Sequence, residues 1–182
     1  MNSRIDTNQT EIPAWVNGTL VPMDKLAVHQ QGLKHMAISV FVLCGDKILL
    51  QQRAAAKYHT PNLWANTCCT HPHWGEASLD CANRRLQEEL GIAGLDLIHR
   101  QQVEYRADVG GDMIEHELVE IYTAIAPETL DISLNQDEVQ AVRWVSVSEL
   151  EQQIEETPDA FTPWLKIYLD QHKSAIFGET PA

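Results

Sequence analysis

The chain reads as an α+β (mixed α/β) domain, with a mixed β-sheet flanked by helices. Three observations predict this. Runs of apolar and β-branched residues are joined by tight turns at Asn17-Gly18, Gly45-Asp46 and Gly110-Gly111-Asp112, which are antiparallel hairpin signals. Between them lie stretches whose apolar residues recur at helical spacing and which carry capping residues. The length of 182 residues, 44% of them hydrophobic, suits one core, so a single domain over 1–182 with a short N-terminal extension is expected.

Taken in order, Trp15 to Val21 forms the first hairpin around Asn17-Gly18. Met36–Cys44 and Lys47–Gln52 are β-rich and meet at Gly45-Asp46. Ala54–Ala65 contains Pro61-Asn62 and reads as a loop. Ser78 caps a helix over Leu79–Leu90, stopped by Gly91, with Leu79, Ala82, Leu86 and Leu90 as its apolar stripe and Arg84, Arg85, Glu88 and Glu89 off it. Leu95–Arg106 and Met113–Ile125 are longer strands, and Gln140–Val145 is another. Ser146 opens a helix through Glu156, and Pro163 starts a last one toward Lys173. Strands on short antiparallel connections with a few flanking helices define the class.

Net charge is -13, so the surface as a whole repels nucleic acid and anionic membranes. Met1 to Glu11 is polar and lacks the apolar segment of a signal peptide. The longest apolar run, Met36–Cys44, is half the length that spans a bilayer. The four cysteines, Cys44, Cys68, Cys69 and Cys81, show no disulfide framework and no CxxC pair. Reduced thiols in the cytoplasm are expected.

Asn66-Thr67-Cys68-Cys69-Thr70-His71-Pro72 sets a thiol and an imidazole two residues apart, so on an extended segment they share a face. Glu76 and the Glu88-Glu89 pair follow closely. Glu115 and Glu117 also share a strand face, which continues into Val119, Ile121 and Ile125. That pair is either a solvated strand end or two buried carboxylates compensated by a cation or a proton. With His29, His35 and His71, the two carboxylates can supply a five-ligand nitrogen and oxygen site for Mn²⁺, Mg²⁺ or Zn²⁺. Lys25, Arg53, Lys57 and Arg85, from a total of 13 basic residues, are either surface solubilisers or holders of phosphate oxygens. Trp164 is either core packing or a ring over a cation.

Thr70 to Ile92 resembles the Nudix box, G-x5-E-x7-R-E-U-x-E-E-x-G-U, with matches at Glu76, Arg84, Leu86, Glu88, Glu89, Gly91 and Ile92. Thr70 replaces the first Gly, and Arg85 replaces the metal-binding Glu after Arg84. The resemblance implies a Nudix-like fold, and the Arg at that position disfavours phosphoanhydride hydrolysis while diphosphate binding is kept.

A wider resemblance, in the same order from about Lys25 to Trp164, is to the type 1 isopentenyl-diphosphate isomerases. Asn66 to Pro72 is similar to their N-x-x-C-x-H-P segment, Glu115-His116-Glu117 to E-x-E, Tyr105-Arg106-Ala107 to Y-R-A, and Thr162-Pro163-Trp164 to Ser/Thr-Pro-Trp. Lys25-x3-His29, His35-x3-Ser39 and Arg53-x3-Lys57 fit as well, although the His29 to His35 interval is one residue shorter. What the resemblance implies is conversion of isopentenyl diphosphate to dimethylallyl diphosphate by proton addition and removal. Cys69 and Glu117 would be the two acid-base groups, Tyr105 would assist beside Glu117, and Trp164 would shield the carbocation. The metal site would be His29, His35, His71, Glu115 and Glu117, taking Mn²⁺, Mg²⁺ or Zn²⁺. A second ion, Mg²⁺, would bridge Glu89 and the diphosphate, and Lys25, Arg53, Lys57 and Arg85 would hold the remaining phosphate charge. The expected partner is a small-molecule diphosphate, with no nucleic acid or membrane, and the expected state is a monomer or weak homodimer.

Overall fold

The computed structural model describes residues 11–178, and most of the polar N-terminal segment lies outside them. The strands are β1 Glu11–Val16, β2 Thr19–Asp24, β3 Lys34–Cys44, β4 Lys47–Arg53, β5 Trp64–Ala65, β6 Cys68–Thr70, β7 Ile98–Gly110, β8 Met113–Ile125 and β9 Val139–Ser146. The helices are α1 Lys25–Gln31, α2 Ser78–Leu90, α3 Val147–Glu156, α4 Pro163–Gln171 and α5 Lys173–Phe177.

Strand β3 organises a mixed sheet. On one side it pairs in parallel with β8, from Lys34↔His116 to Leu43↔Ile125, and β7 extends that side as an antiparallel partner of β8. β6 is antiparallel to β3 through Ser39↔Cys69 and its neighbours, β1 meets β3 at Ala14↔His35, and β4 meets it at Leu43 and Cys44. β4 also pairs with β9. Side chains alternate between faces along β3. Ala37, Phe41 and Leu43 enter the core beneath α3, α4 and α5, with Leu150, Leu165, Tyr168 and Ile176. Ile38, Val40 and Val42 enter the opposite core with Cys81, Ala82, Leu86 and Leu90 of α2.

The predicted hairpins form. Asn17 and Gly18 both take positive φ, at 50° and 80°, as a two-residue turn with inverted twist requires. Ser146 forms a full capping box with Glu149 at the start of α3. Other boundaries differ from expectation. β7 starts at Ile98 and runs to Gly110, because Leu95 and Leu97 pack on the α2-side core outside the ladder and Gly110 still pairs with Met113. Ala77 is the N-cap of α2 and makes no side-chain cap bond, so Ser78 is the first helical residue. Leu79 is exposed and Glu89 is buried, so the inner stripe of α2 is Cys81, Ala82, Leu86, Glu89 and Leu90. Ile125 is 71% exposed at the strand end and takes no part in the face of Glu115 and Glu117. The last helical stretch breaks at His172 (φ -129°, ψ 13°) into α4 and α5. Helix α1 was not expected. Asp24 caps it by accepting from the Ala27 N–H at 2.9 Å, and left-handed Gly32 (φ 61°) ends it.

Candidate active site

Register gathers the site on the α4 face of the sheet. His35 and Ser39 lie four residues apart on β3, and therefore on one face. Their partners, Glu117 on β8 and Cys69 on β6, flank β3 from opposite sides on that face. Tyr105 is opposite Glu117 on β7. Trp164 from α4, Lys25 at the start of α1, and the loop after β4 close over them. The result is a small, mostly polar cleft. Cys68 points into the opposite core, so Cys69 is the thiol that faces the cleft.

His29, His35, His71 and Glu117 each present a ligand atom within 4.8 Å of the others, and all four are buried. The Nδ1–H of His29 donates to the Lys25 carbonyl and that of His35 to the Leu33 carbonyl, both at 2.7 Å. This leaves each Nε2 lone pair facing inward, as in histidines that bind a metal through one nitrogen and donate from the other. His29 Nε2 is buried and has no hydrogen-bond partner among the described residues. His35 Nε2 lies 3.2 Å from His71 Nε2 and 3.5 Å from Glu117 Oε1, and His71 Nε2 lies 2.9 Å from the same oxygen. An octahedral ion with bonds of about 2.1 Å sets neighbouring ligands about 3.0 Å apart, so these side chains fit a divalent ion. Burial first, and then the neighbouring His35, push His29 down to about 4, and burial and Lys25 hold His71 well below its ordinary value. Both are neutral, which is the ligating form.

The Tyr105 hydroxyl is 2.8 Å from oxygens of both Glu115 and Glu117. A phenol has one proton to donate, so it serves one of the two carboxyl groups at a time. Burial and the neighbouring Glu117 charge raise Glu115 well above the carboxylate range. Burial also opposes ionisation of Glu117, but the His35 and His71 imidazoles set against it overcome this and hold the group low. Burial pushes the Cys69 thiol well up, so it carries its proton, and Sγ–H donates to Asn66 Oδ1 at 2.8 Å. Ser39 Oγ, itself 2.8 Å from the Tyr168 hydroxyl, lies 3.2 Å from that sulfur.

Lys25, Arg53, Lys57 and Arg85 all line the cleft. Burial, then repulsion from Lys57, Arg85 and Arg53, lowers Lys25 to about 8, a sign of cations gathered without a full set of counter-charges. Arg53 donates to the carbonyls of Thr60 and His59, both at 3.2 Å, and its guanidinium lies 5.3 Å from the Trp164 ring centre. It therefore holds the loop as well as facing the cleft. Glu138, not singled out in the sequence, pairs with Lys57 and lies 3.3 Å from Arg85.

Glu89 is not brought into the cleft with the others. It stands behind Arg85, whose Nη2 donates to Oε1 at 2.6 Å, while Gln51 donates to Oε2 at 2.9 Å. Glu76 makes a two-pronged pair with Arg84 at 2.7 and 2.8 Å and so braces the start of α2. Glu115 sits beside the four-residue cluster and forms a second group with His29 and His59. His59 was missed by sequence reasoning. Its proximity in sequence to Lys57 was the available signal, but an isolated loop histidine carries no periodicity that would say where its ring points.

A NUDIX domain model matches residues 33–165. A Cereibacter sphaeroides protein named isopentenyl-diphosphate Delta-isomerase is 58% identical over 168 residues, covering 92% of this chain and 95% of its own length. A Roseobacter denitrificans protein of the same name is 60% identical over 168 residues, covering 92% and 96%. Among solved structures, DR0079 from Deinococcus radiodurans superposes with a TM-score of 0.72 at 13% identity, covering 88% of this chain and 98% of that one. A MutT NUDIX hydrolase from Burkholderia pseudomallei gives 0.58 at 21% identity, covering 76% and 98%. These two likenesses concern the fold alone.

Proposed function

Because the chain belongs to the NUDIX family and, within it, to the isopentenyl-diphosphate Delta-isomerases, we propose that it converts isopentenyl diphosphate to dimethylallyl diphosphate in isoprenoid precursor biosynthesis. One observation carries this reading. The Cys69 thiol and the Glu117 carboxylate, from strands on opposite sides of β3, line the same cleft beside four basic side chains.

The reaction adds a proton to the terminal alkene carbon, giving a tertiary carbocation, and removes one from the adjacent methylene carbon. Cys69 and Glu117 are the two groups that exchange these protons, trading roles between the two directions. The Tyr105 hydroxyl is within donating distance of Glu117 and of Glu115, so it can carry a proton to or from the catalytic carboxylate. Trp164 excludes water, and its ring stabilises the carbocation by about 2 kcal/mol when desolvated. Lys25, Arg53, Lys57 and Arg85 grip the diphosphate, and that binding energy from the non-reacting end positions the alkene.

His29, His35, His71, Glu115 and Glu117 would hold a divalent ion, with Mn²⁺, Mg²⁺ and Zn²⁺ as candidates. Its charge would fix the orientation and acidity of Glu117. A Mg²⁺ between Glu89 and the diphosphate would require Arg85 to release Glu89 Oε1. The four free cysteines support a reducing compartment such as the cytoplasm. No helix among the described residues is long and apolar enough to cross a membrane.

Incubation with isopentenyl diphosphate and Mg²⁺ or Mn²⁺ tests the assignment. Dimethylallyl diphosphate is the expected product. Released phosphate would point to a hydrolase, and unchanged substrate to a binding module.

A further inference from the structure

His59 belongs to none of the motifs, yet its ring packs against His29 at the edge of the histidine cluster. It is 5% exposed, and its ring stacks on His29 with centres 5.6 Å apart and planes at 26°. Its Nδ1 is 2.9 Å from Thr60 Oγ1, so Nε2 is the atom turned inward, 3.6 Å from Glu115 Oε1. That separation exceeds a hydrogen bond but suits two ligands of one ion. The ligand atoms of His29, His59 and Glu115 lie within 4.8 Å of one another, and His29 Nε2, shared with the larger cluster, has no partner among the described residues.

The loop is shaped to deliver this ring. Arg53 clamps the His59 and Thr60 carbonyls, and Thr60 takes the left-handed conformation (φ 46°), which a β-branched residue avoids unless its surroundings impose it. Two residues earlier the same loop offers Lys57 to the cleft. One short segment thus reaches both the anion grip and the histidine cluster.

We propose that His59 Nε2 is a further protein ligand of the divalent ion, completing with His29 and Glu115 the flank that His35, His71 and Glu117 leave open. Three His from separate elements and two Glu from β8 then gain a fourth imidazole. The ion is enclosed by six protein ligands, which favours ions that accept octahedral coordination over those that prefer four ligands. This inference rests on the metal reading of the site, and the experiment separates the two.

Metal-free full-length protein, the His59→Ala variant and the His59→Gln variant are titrated with Mn²⁺ by calorimetry and with Co²⁺ by visible absorption. Thermal unfolding of each metal-free protein serves as the folding control. The expected result is Mn²⁺ binding weakened about 10–100-fold in both variants, as loss of a coordinating or supporting group produces. The Co²⁺ bands should intensify as coordination falls from six to five. Mn²⁺ affinity within about twofold of the unmodified protein would overturn the proposal. So would weaker binding with an unchanged Co²⁺ spectrum, since His59 would then only position Glu115. If His59→Ala fails to fold, His59→Gln decides by the same two readouts. Failure of the unmodified protein to bind Mn²⁺ at all would instead remove the metal centre.

Discussion

His35 and Glu117 are register partners across the parallel β3–β8 pair, and their side chains meet with Nε2 3.5 Å from Oε1. The backbone ladder itself thus sets a metal-type donor against the carboxylate assigned to proton transfer. Removal of divalent ions by a chelator is expected to stop turnover, and Mn²⁺ or Mg²⁺ to restore it. An ion bound at 100 times its Kd stabilises by about 2.7 kcal/mol, or roughly 5–10 °C in Tm for a chain of this size. Calorimetry with and without chelator checks this; a chelated protein with full activity would contradict it.

Cys69→Ala and Glu117→Gln each remove one proton-transfer group without touching the cation grip. Positioned acid-base groups contribute about 10²–10⁴-fold, so kcat should fall by at least about 100-fold in each while KM stays within a few-fold. Steady-state kinetics decide, and near-normal kcat in either variant would exclude that residue from the mechanism.

Arg85 faces the cleft from α2 and is tied to Glu89 at 2.6 Å. Arg85→Gln deletes a charge-assisted contact worth about 1.5–3 kcal/mol, which corresponds to KM rising about 10–100-fold. Arg85→Glu should weaken binding further by adding repulsion. An unchanged KM would contradict the phosphate role.

Lys25 is lowered to about 8, so in the free protein it is charged below that pH and neutral above it. A neutral lysine no longer attracts the diphosphate, and kcat/KM should fall as pH rises through about 8. Lys25→Arg should abolish this alkaline limb, because guanidinium stays charged. The pH profiles of the two proteins test it, and a limb that survives unchanged in Lys25→Arg belongs to another group.

Gly91 ends α2 at φ 66°, and a Cβ there would lie 2.8 Å from the Ser133 Cβ and 3.0 Å from its carbonyl oxygen. Gly91→Ala therefore combines left-handed strain of about 1–2 kcal/mol with crowding of about 1–3 kcal/mol. Thermal unfolding should show a clear loss of Tm, and an unchanged Tm would mean that the 133 segment moves aside freely.

Local chemistry made much of this molecule legible in sequence. The Asn17-Gly18 turn, the Gly91 stop and the Ser146 cap each depend on a few adjacent residues, and each forms. Helix α1 was not legible, because seven residues with Leu26 exposed and Val28 buried carry too little periodicity. The site residues came from motif resemblance, since their convergence depends on strand register. The short His29 to His35 interval illustrates this: Gly32 turns left-handed against Ile114, and the two rings still meet with centres 4.7 Å apart. Glu89 shows the reverse case, a motif carboxylate that Arg85 and Gln51 hold back from the cleft. Glu138 and His59 were missed because a loop or a strand start has no periodicity to record which distant groups a side chain faces.

The most direct test of proton transfer across the cleft is NMR of the product formed from isopentenyl diphosphate in D₂O, before appreciable back-reaction. The account predicts dimethylallyl diphosphate carrying solvent deuterium in its newly formed methyl group, with formation lost in Cys69→Ala and Glu117→Gln. Product free of solvent deuterium, or an undiminished rate in either variant, would contradict it.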